Sequence, residues 1–131
     1  MKKLINTYKG KKVLVTGHSG FKGSWLSLWL HMLGADVLGI SDKIVSKPSH
    51  FGTSHLEKII KTTWLDITNT DKTVKRILSF NPDIIFHLAA QPLVYNSFQN
   101  PVETYKINSI GTANILEAIR YQKKKVIGVM I

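Results

Sequence analysis

Three glycines spaced three residues apart follow the first apolar run of the chain, and they constrain its fold more than any other feature. The run Lys12–Thr16 has the composition of a buried strand, and the segment GHSGFKG at residues 17–23 comes directly after it. Gly17 permits a tight turn, Gly20 lets backbone N–H groups approach a diphosphate, and Gly23 lets the next helix pack closely. The pattern predicts a dinucleotide-binding turn, because a helix N-terminus favours an anion. A purely structural glycine turn is the alternative.

The rest of the chain alternates short apolar runs with longer amphipathic stretches, as βαβ units do. The predicted strands are 12–16, 36–41, 62–65, 83–87 and 125–131, and the predicted helices are 21–33, 56–60, 70–80 and 101–121, with a loop over 46–54. These elements predict an α/β fold, a Rossmann-type doubly wound parallel sheet of order 3-2-1-4-5. We expect residues 1–131 to be one domain, truncated after the fifth strand and lacking the substrate domain.

Composition limits the classes of partner. The chain has 18 Lys+Arg against 8 Asp+Glu, a net charge of +10, but its lysines are dispersed and form no stripe with aromatic residues. We therefore expect no nucleic-acid partner. There is no cysteine for a disulfide or thiolate site, and no apolar run approaches the roughly 18 residues that cross a bilayer. We expect a cytoplasmic protein with no membrane partner and no metal site, since the five histidines do not cluster.

The residue at the end of the second strand selects the cofactor. An acidic side chain there accepts hydrogen bonds from the adenosine ribose, whereas a cationic one favours the 2′-phosphate of NADP. Asp42 therefore favours NAD, although Ser41 competes for the last strand position and Lys43 leaves NADP open. An ordinary turn residue is the alternative for Asp42.

Two further segments carry predictions from the residues alone. Asp66 and Ile67 close the third strand, where a carboxylate can accept from the adenine amino group; capping of the next helix is the alternative. Trp25 and Trp29 lie in the first long helix, and we expect both to pack in the core.

Three blocks of sequence carry a family resemblance. The segment VTGHSGFKGSWL at residues 15–26 resembles the extended short-chain dehydrogenase/reductase superfamily, and its FKGSWL part is most similar to the CDP-glucose 4,6-dehydratases of the NAD-dependent epimerase/dehydratase family. The segment HLAAQPLV at 87–94 is similar to the same branch. Residues 100–118, with Asn108, resemble the long helix of the superfamily. Tyr95 departs from the branch, which usually has arginine there.

The resemblance implies NAD as cofactor and a nucleotide sugar, CDP-glucose, as substrate of the full-length protein. It implies conversion to CDP-4-keto-6-deoxyglucose and a homodimer through the 101–121 helix. Together with the glycine turn it predicts these cofactor-binding residues: Gly17, Gly20, Phe21, Lys22, Gly23, Asp42, Asp66, Ile67, Leu88, Ala89, Ala90, Gln91 and Asn108.

We expect no catalytic residue within the chain. Members of the family use a tyrosine base and a lysine four residues later, which should follow the fifth strand. Of the two matches to this spacing, Tyr8 to Lys12 lies before the nucleotide fold begins, and Tyr121 to Lys125 straddles the end of the long helix and the start of that strand. Two alternatives remain open: another NAD-dependent nucleotide-sugar epimerase or reductase, and a catalytically silent NAD-binding module.

Overall fold

One parallel sheet organises the chain in the computed structural model, which describes residues 2–130. Its strands are β1 (Lys12–Thr16), β2 (Asp36–Ser41), β3 (Lys61–Trp64), β4 (Ile84–His87) and β5 (Gly128–Met130). Their order is β3-β2-β1-β4-β5, as predicted. Thr16, at the end of β1, lies opposite Ile40 of β2 and His87 of β4. The carboxyl ends of the three central strands therefore meet at one edge of the sheet.

Helices cover both faces of this sheet. They are α1 (Lys2–Tyr8), α2 (Phe21–Met32), α3 (His50–Thr53), α4 (Thr70–Phe80), α5 (Val94–Gln99), α6 (Pro101–Tyr105) and α7 (Thr112–Tyr121), with a 3₁₀ turn at Leu56–Lys58. A π-helical segment, Lys106–Gly111, joins α6 to α7. The predicted long helix over 101–121 is thus present, and we call α6, the π segment and α7 together the long helix.

The core has one cluster on each face of the sheet. On one face, Leu14 and Ile85 pack against Ile77 of α4 and Ile115 of α7. On the other face, alternate apolar side chains of β1 and β4 pack against Leu30 of α2. The sheet is buried on both sides in this way, which explains the continuous apolar runs of its central strands.

Several element boundaries differ from the predictions. The predicted loop over 46–54 contains α3, because the Ser49 hydroxyl accepts the Gly52 N–H (3.1 Å) and caps a single helical turn. The helices α1 and α5 were not predicted. The fifth strand is shorter than 125–131, because the lysines that precede it stay exposed to water. Ile131, its predicted last residue, lies outside the described residues.

The expected burial of the two tryptophans is wrong. Small residues of α2, among them Gly23 and Ser27, face the sheet and are buried. A Cβ atom on Gly23 would lie 2.1 Å from the Gly17 carbonyl oxygen, so the helix packs too closely for an indole. Trp25 and Trp29 are instead on the solvent side, about half exposed at 53% and 48%.

A buried amide connects the long helix to the segment after β3. The Asn114 side chain donates from Nδ2 to the Ile67 carbonyl (2.8 Å) and is nearly inaccessible to water. We expect Asn114→Ala to lower the free energy of unfolding by about 1–3 kcal/mol, because it leaves a buried carbonyl without its best donor. Urea denaturation measures this. Asn96→Ala on α5, where the side chain is exposed, is the matched control and should change stability by less than about 0.5 kcal/mol. Equal effects of the two changes would contradict the assignment.

Candidate cofactor site

The glycine turn between β1 and α2 is held in place by backbone contacts that no side chain would allow. Gly17 has a φ of +73°, and a Cβ there would lie 2.7 Å from the Leu88 backbone. The backbone of Gly23 lies against the Gly17 carbonyl, so the fold itself requires glycine at both positions. Gly20 differs, since its Cβ would meet only the Gly17 carbonyl oxygen, at 3.3 Å. The missing side chain of Gly20 therefore leaves space beside the turn rather than inside the fold.

The N-terminus of α2 is open to an anion. Gly20 is the N-cap residue, and no side chain caps the helix among the described residues. The first N–H groups of a helix have no partner within the helix, and the dipole places partial positive charge on them. The side chains of Phe21 and Lys22 are exposed. This arrangement of N–H groups beside a turn without side chains suits a diphosphate.

The end of β2 presents a carboxylate next to this turn. Ser41 is the last residue of the strand, so Asp42 is the first residue after it. Asp42 is exposed and lies 3.7 Å from the Lys43 ammonium, a pair that contributes little because both side chains are in water. The Ser19 hydroxyl donates to the Lys43 carbonyl (2.6 Å), which fastens the segment after β2 to the glycine turn.

The hydrogen bonds of the segment after β3 show which of its residues caps α4. Asp66 accepts the Thr68 N–H (2.8 Å) with one carboxylate oxygen, while Asn69, not Asp66, caps α4. The Ile67 side chain is buried in the core. Any contact between Ile67 and a cofactor would therefore have to come from its backbone, and the adenine role of Asp66 stays a prediction.

A directional chain of hydrogen bonds passes through His87 at the end of β4. The Thr112 hydroxyl donates to the Asn108 carbonyl (2.7 Å), so it accepts from His87 Nε2 (2.9 Å). The Thr16 hydroxyl accepts the Ala89 N–H (3.2 Å) and donates to His87 Nδ1 (2.6 Å). These partners assign a neutral ring protonated on Nε2, and burial lowers the pKa of His87. This series of hydrogen bonds connects the predicted cofactor segment at Ala89 to β1 and to the long helix.

The predicted residues Gln91 and Asn108 lie together. The Asn108 amide accepts the Gln91 N–H (2.8 Å) and donates to the Gln91 carbonyl (3.2 Å). The Gln91 side chain accepts the Leu93 N–H (2.8 Å) and donates to Thr104 (3.1 Å). Both side chains thus shape the loop after β4, in which Ala90 is exposed and Leu88 and Ala89 are half-buried.

His18 lies in the glycine turn, and its side chain is a buried part of the site to which the sequence analysis gave no role. Its ring is inaccessible to water and packs edge-on against Phe51, with ring centroids 5.1 Å apart. Its Nδ1 lies 2.9 Å from the Ser41 hydroxyl. Burial lowers the pKa of His18 to about 4, and the Ile40 carbonyl offsets only part of this effect.

Other candidate sites receive no support from the geometry. Tyr8 packs beside the α2-side core cluster while Lys12 begins β1, and Tyr121 ends α7 while Lys125 follows in the connection to β5. Neither pair shares a helix, so neither has the arrangement expected of a catalytic pair. Within residues 2–130, no cluster of three or more histidine or carboxylate groups is placed to hold a metal ion. No helix in that range is both long and apolar enough to cross a membrane.

The low pKa of His18 makes stability depend on pH. The unfolded chain binds a proton here near pH 6.5, whereas the folded chain does so only near pH 4. The free energy of unfolding should therefore be highest above pH 6.5 and fall as the pH drops towards 4, by about 3 kcal/mol from this group. Denaturant titrations from pH 7.5 to 4.5 measure the slope. His18→Asn should reduce it, and an unchanged slope in that variant would contradict the burial argument.

Comparison with known proteins places these features in a family. A family model described as GDP-mannose 4,6 dehydratase matches residues 14–129. The CDP-glucose 4,6-dehydratase of Salmonella typhimurium is 45% identical over 115 residues, which are 88% of this chain and 32% of that protein. The GDP-mannose 4,6-dehydratase of Yersinia enterocolitica is 32% identical over 84% of this chain and 31% of that protein. The chain spans about a third of the length of these curated relatives.

Solved structures agree with the fold. An epimerase from Methanothermobacter thermautotrophicus has a TM-score of 0.79 and 30% identity, covering 92% of this chain and 35% of that one. The UDP-glucose 4-epimerase of Thermus thermophilus, solved in complex with NAD, has a TM-score of 0.73 and 29% identity, covering 83% and 33%. The glycine turn, the sheet order and the match over residues 14–129 together show that this chain belongs to the GDP-mannose 4,6-dehydratase family.

Proposed function

We propose that the chain is the NAD-binding part of a nucleotide-sugar 4,6-dehydratase that converts CDP-glucose to CDP-4-keto-6-deoxyglucose. The observation that best supports NAD binding is the open turn at Gly20, beside the uncapped N-terminus of α2. The observation that best supports the substrate class is the 45% identity to a CDP-glucose 4,6-dehydratase. Because the chain spans about a third of that relative, the activity is proposed for the whole protein.

Each segment at the carboxyl edge of the sheet has one task in this proposal. The N–H groups that begin α2 bind the diphosphate, and the Asp42 carboxylate accepts from the adenosine ribose. Asp66 accepts from the adenine amino group. The loop Leu88–Gln91, shaped by Asn108, borders the remainder of the cofactor. Bound NAD would supply a reversible hydride acceptor, so that the net change in the substrate would be the loss of one water.

The same residues favour NAD over NADP. If the exposed Asp42 carboxylate accepts from the adenosine ribose, a 2′-phosphate would lie beside it, and like charges repel. The Ser19 hydroxyl donates to the Lys43 carbonyl, so it has no proton left for a phosphate. Lys43 supplies one cation to this region, but its side chain is exposed to water, where an ion pair contributes little.

We also propose that the whole protein is a cytoplasmic homodimer that pairs through the long helix. That helix exposes large apolar side chains to solvent, which is unusual unless a partner covers them. The exposed side chains are Val102, Tyr105, Ile110, Leu116 and Tyr121.

Replacement of Gly20 tests cofactor binding with little disturbance of the fold. Gly20 has ordinary extended backbone angles, and a side chain there meets only one atom closely. We expect Gly20→Val to weaken NAD binding at least tenfold, about 1.4 kcal/mol, because its methyl groups occupy the space of the diphosphate. Isothermal titration calorimetry measures the dissociation constant. Gly128→Val, where a Cβ meets nothing within 4 Å, is the control and should bind NAD normally. Equal affinity of the two variants would defeat the proposed site.

The reaction is tested with the full-length protein that contains this chain. Incubation with NAD and CDP-glucose should yield a product lighter by one water, detected by mass spectrometry. GDP-mannose and UDP-glucose serve as competing substrates. A product of unchanged mass would indicate an epimerase, preference for another nucleotide sugar would overturn the substrate, and absence of any turnover would support a silent NAD-binding module.

A further inference from the structure

A buried histidine joins the glycine turn to β2, the strand that Asp42 directly follows. The ring of His18 lies directly over β2, where a Cβ on Gly39 would be 2.2 Å from ring atoms. Phe51 packs against the ring edge-on, and Trp64 lies near it, with centroids 5.7 Å apart. The side chain of this turn residue therefore points away from solvent and into the layer beneath the turn.

A short series of hydrogen bonds leads from this ring to both neighbours of Asp42. The Ser41 hydroxyl lies 2.9 Å from His18 Nδ1 and accepts the Ser19 N–H (3.2 Å). The Ser19 hydroxyl in turn donates to the Lys43 carbonyl (2.6 Å). Residues 41 and 43 are thus both fixed to the glycine turn, and the backbone of Asp42 between them has little freedom to move.

Packing alone does not explain a histidine at this position. Its Nε2 has no hydrogen-bond partner among residues 2–130, and a buried polar atom without a partner costs free energy. An apolar aromatic ring would occupy this layer without that cost. The imidazole supplies what a phenylalanine ring cannot, a bond between Nδ1 and the Ser41 hydroxyl.

We propose that His18 is a positioning residue that sets the distance between the Asp42 carboxylate and the glycine turn, and so determines recognition of the adenosine 2′-hydroxyl. The inference rests on the proposed binding of NAD and deepens it. Without the Nδ1 bond, the Ser41 hydroxyl keeps only the Ser19 N–H as a partner, and the segment after β2 is held to the turn less firmly. Asp42 then moves relative to a diphosphate that remains bound at α2.

The experiment compares NAD with its analogue that lacks the adenosine 2′-hydroxyl, using calorimetry on the purified chain. His18→Phe replaces the imidazole with another aromatic ring and removes the bond to Ser41. His18→Asn instead places an amide near the position of Nδ1. We expect His18→Phe to weaken NAD binding about tenfold and to leave binding of the 2′-deoxy analogue within about twofold. His18→Asn should retain most of the preference for NAD.

A double-mutant cycle tests whether His18 acts through Asp42. In the Asp42→Ala background, His18→Phe should cause no further loss of NAD affinity. Ile77→Val, a buried change on the opposite face of the sheet, is the control for general destabilisation and should not alter the preference for NAD.

The outcomes separate the two proposals. A wild-type chain that does not bind NAD overturns the proposed cofactor site, and the role of His18 with it. If wild type binds and His18→Phe weakens both ligands equally, or neither, the positioning role is wrong. Should His18→Phe fail to fold, Ser41→Ala removes the same bond from its other end. Full preference for NAD in that variant would also overturn the proposal.

Discussion

The close approach of the α2 backbone to the Gly17 carbonyl is the contact on which the rest of the site depends. Because Gly23 has no Cβ, the helix begins directly above the end of β1 and its first N–H groups face the turn. The same closeness requires small side chains on the face that meets the sheet, which places Trp25 and Trp29 outside. Packing of the helix and the open anion site therefore have a common cause.

Two buried histidines fasten the glycine turn on its two sides. His18 joins it to the end of β2, next to Asp42, and His87 joins the end of β1 to the loop after β4 and to the long helix. Burial lowers the pKa of both rings, so both are neutral near pH 7 and can accept a hydrogen bond. The segments that would border a cofactor are thus held in place by the protein before any ligand binds, which lowers the entropic cost of binding.

Sequence reasoning predicted the parts of the fold that depend on local pattern. The buried strand, the glycine spacing and the alternation of strands and helices predicted the sheet order, and the end of β2 beside Asp42 followed from them. The histidine networks could not be predicted, because they depend on which residues neighbouring strands bring together, such as Thr16 opposite His87. The orientation of α2 could not be predicted either, because this helix carries apolar residues on both faces. Its small residues, not its large ones, meet the sheet.

The proposed binding of NAD along the carboxyl edge of the sheet is tested most directly by amide chemical-shift mapping of the isotope-labelled chain. Addition of NAD should shift the resonances of residues 17–23, Asp42, Asp66 and residues 88–91, and leave those of the outer face of α4 and α7 unchanged. No response to NAD, or shifts confined to the groove between α4 and α7 that Thr70 and Glu117 line, would contradict it.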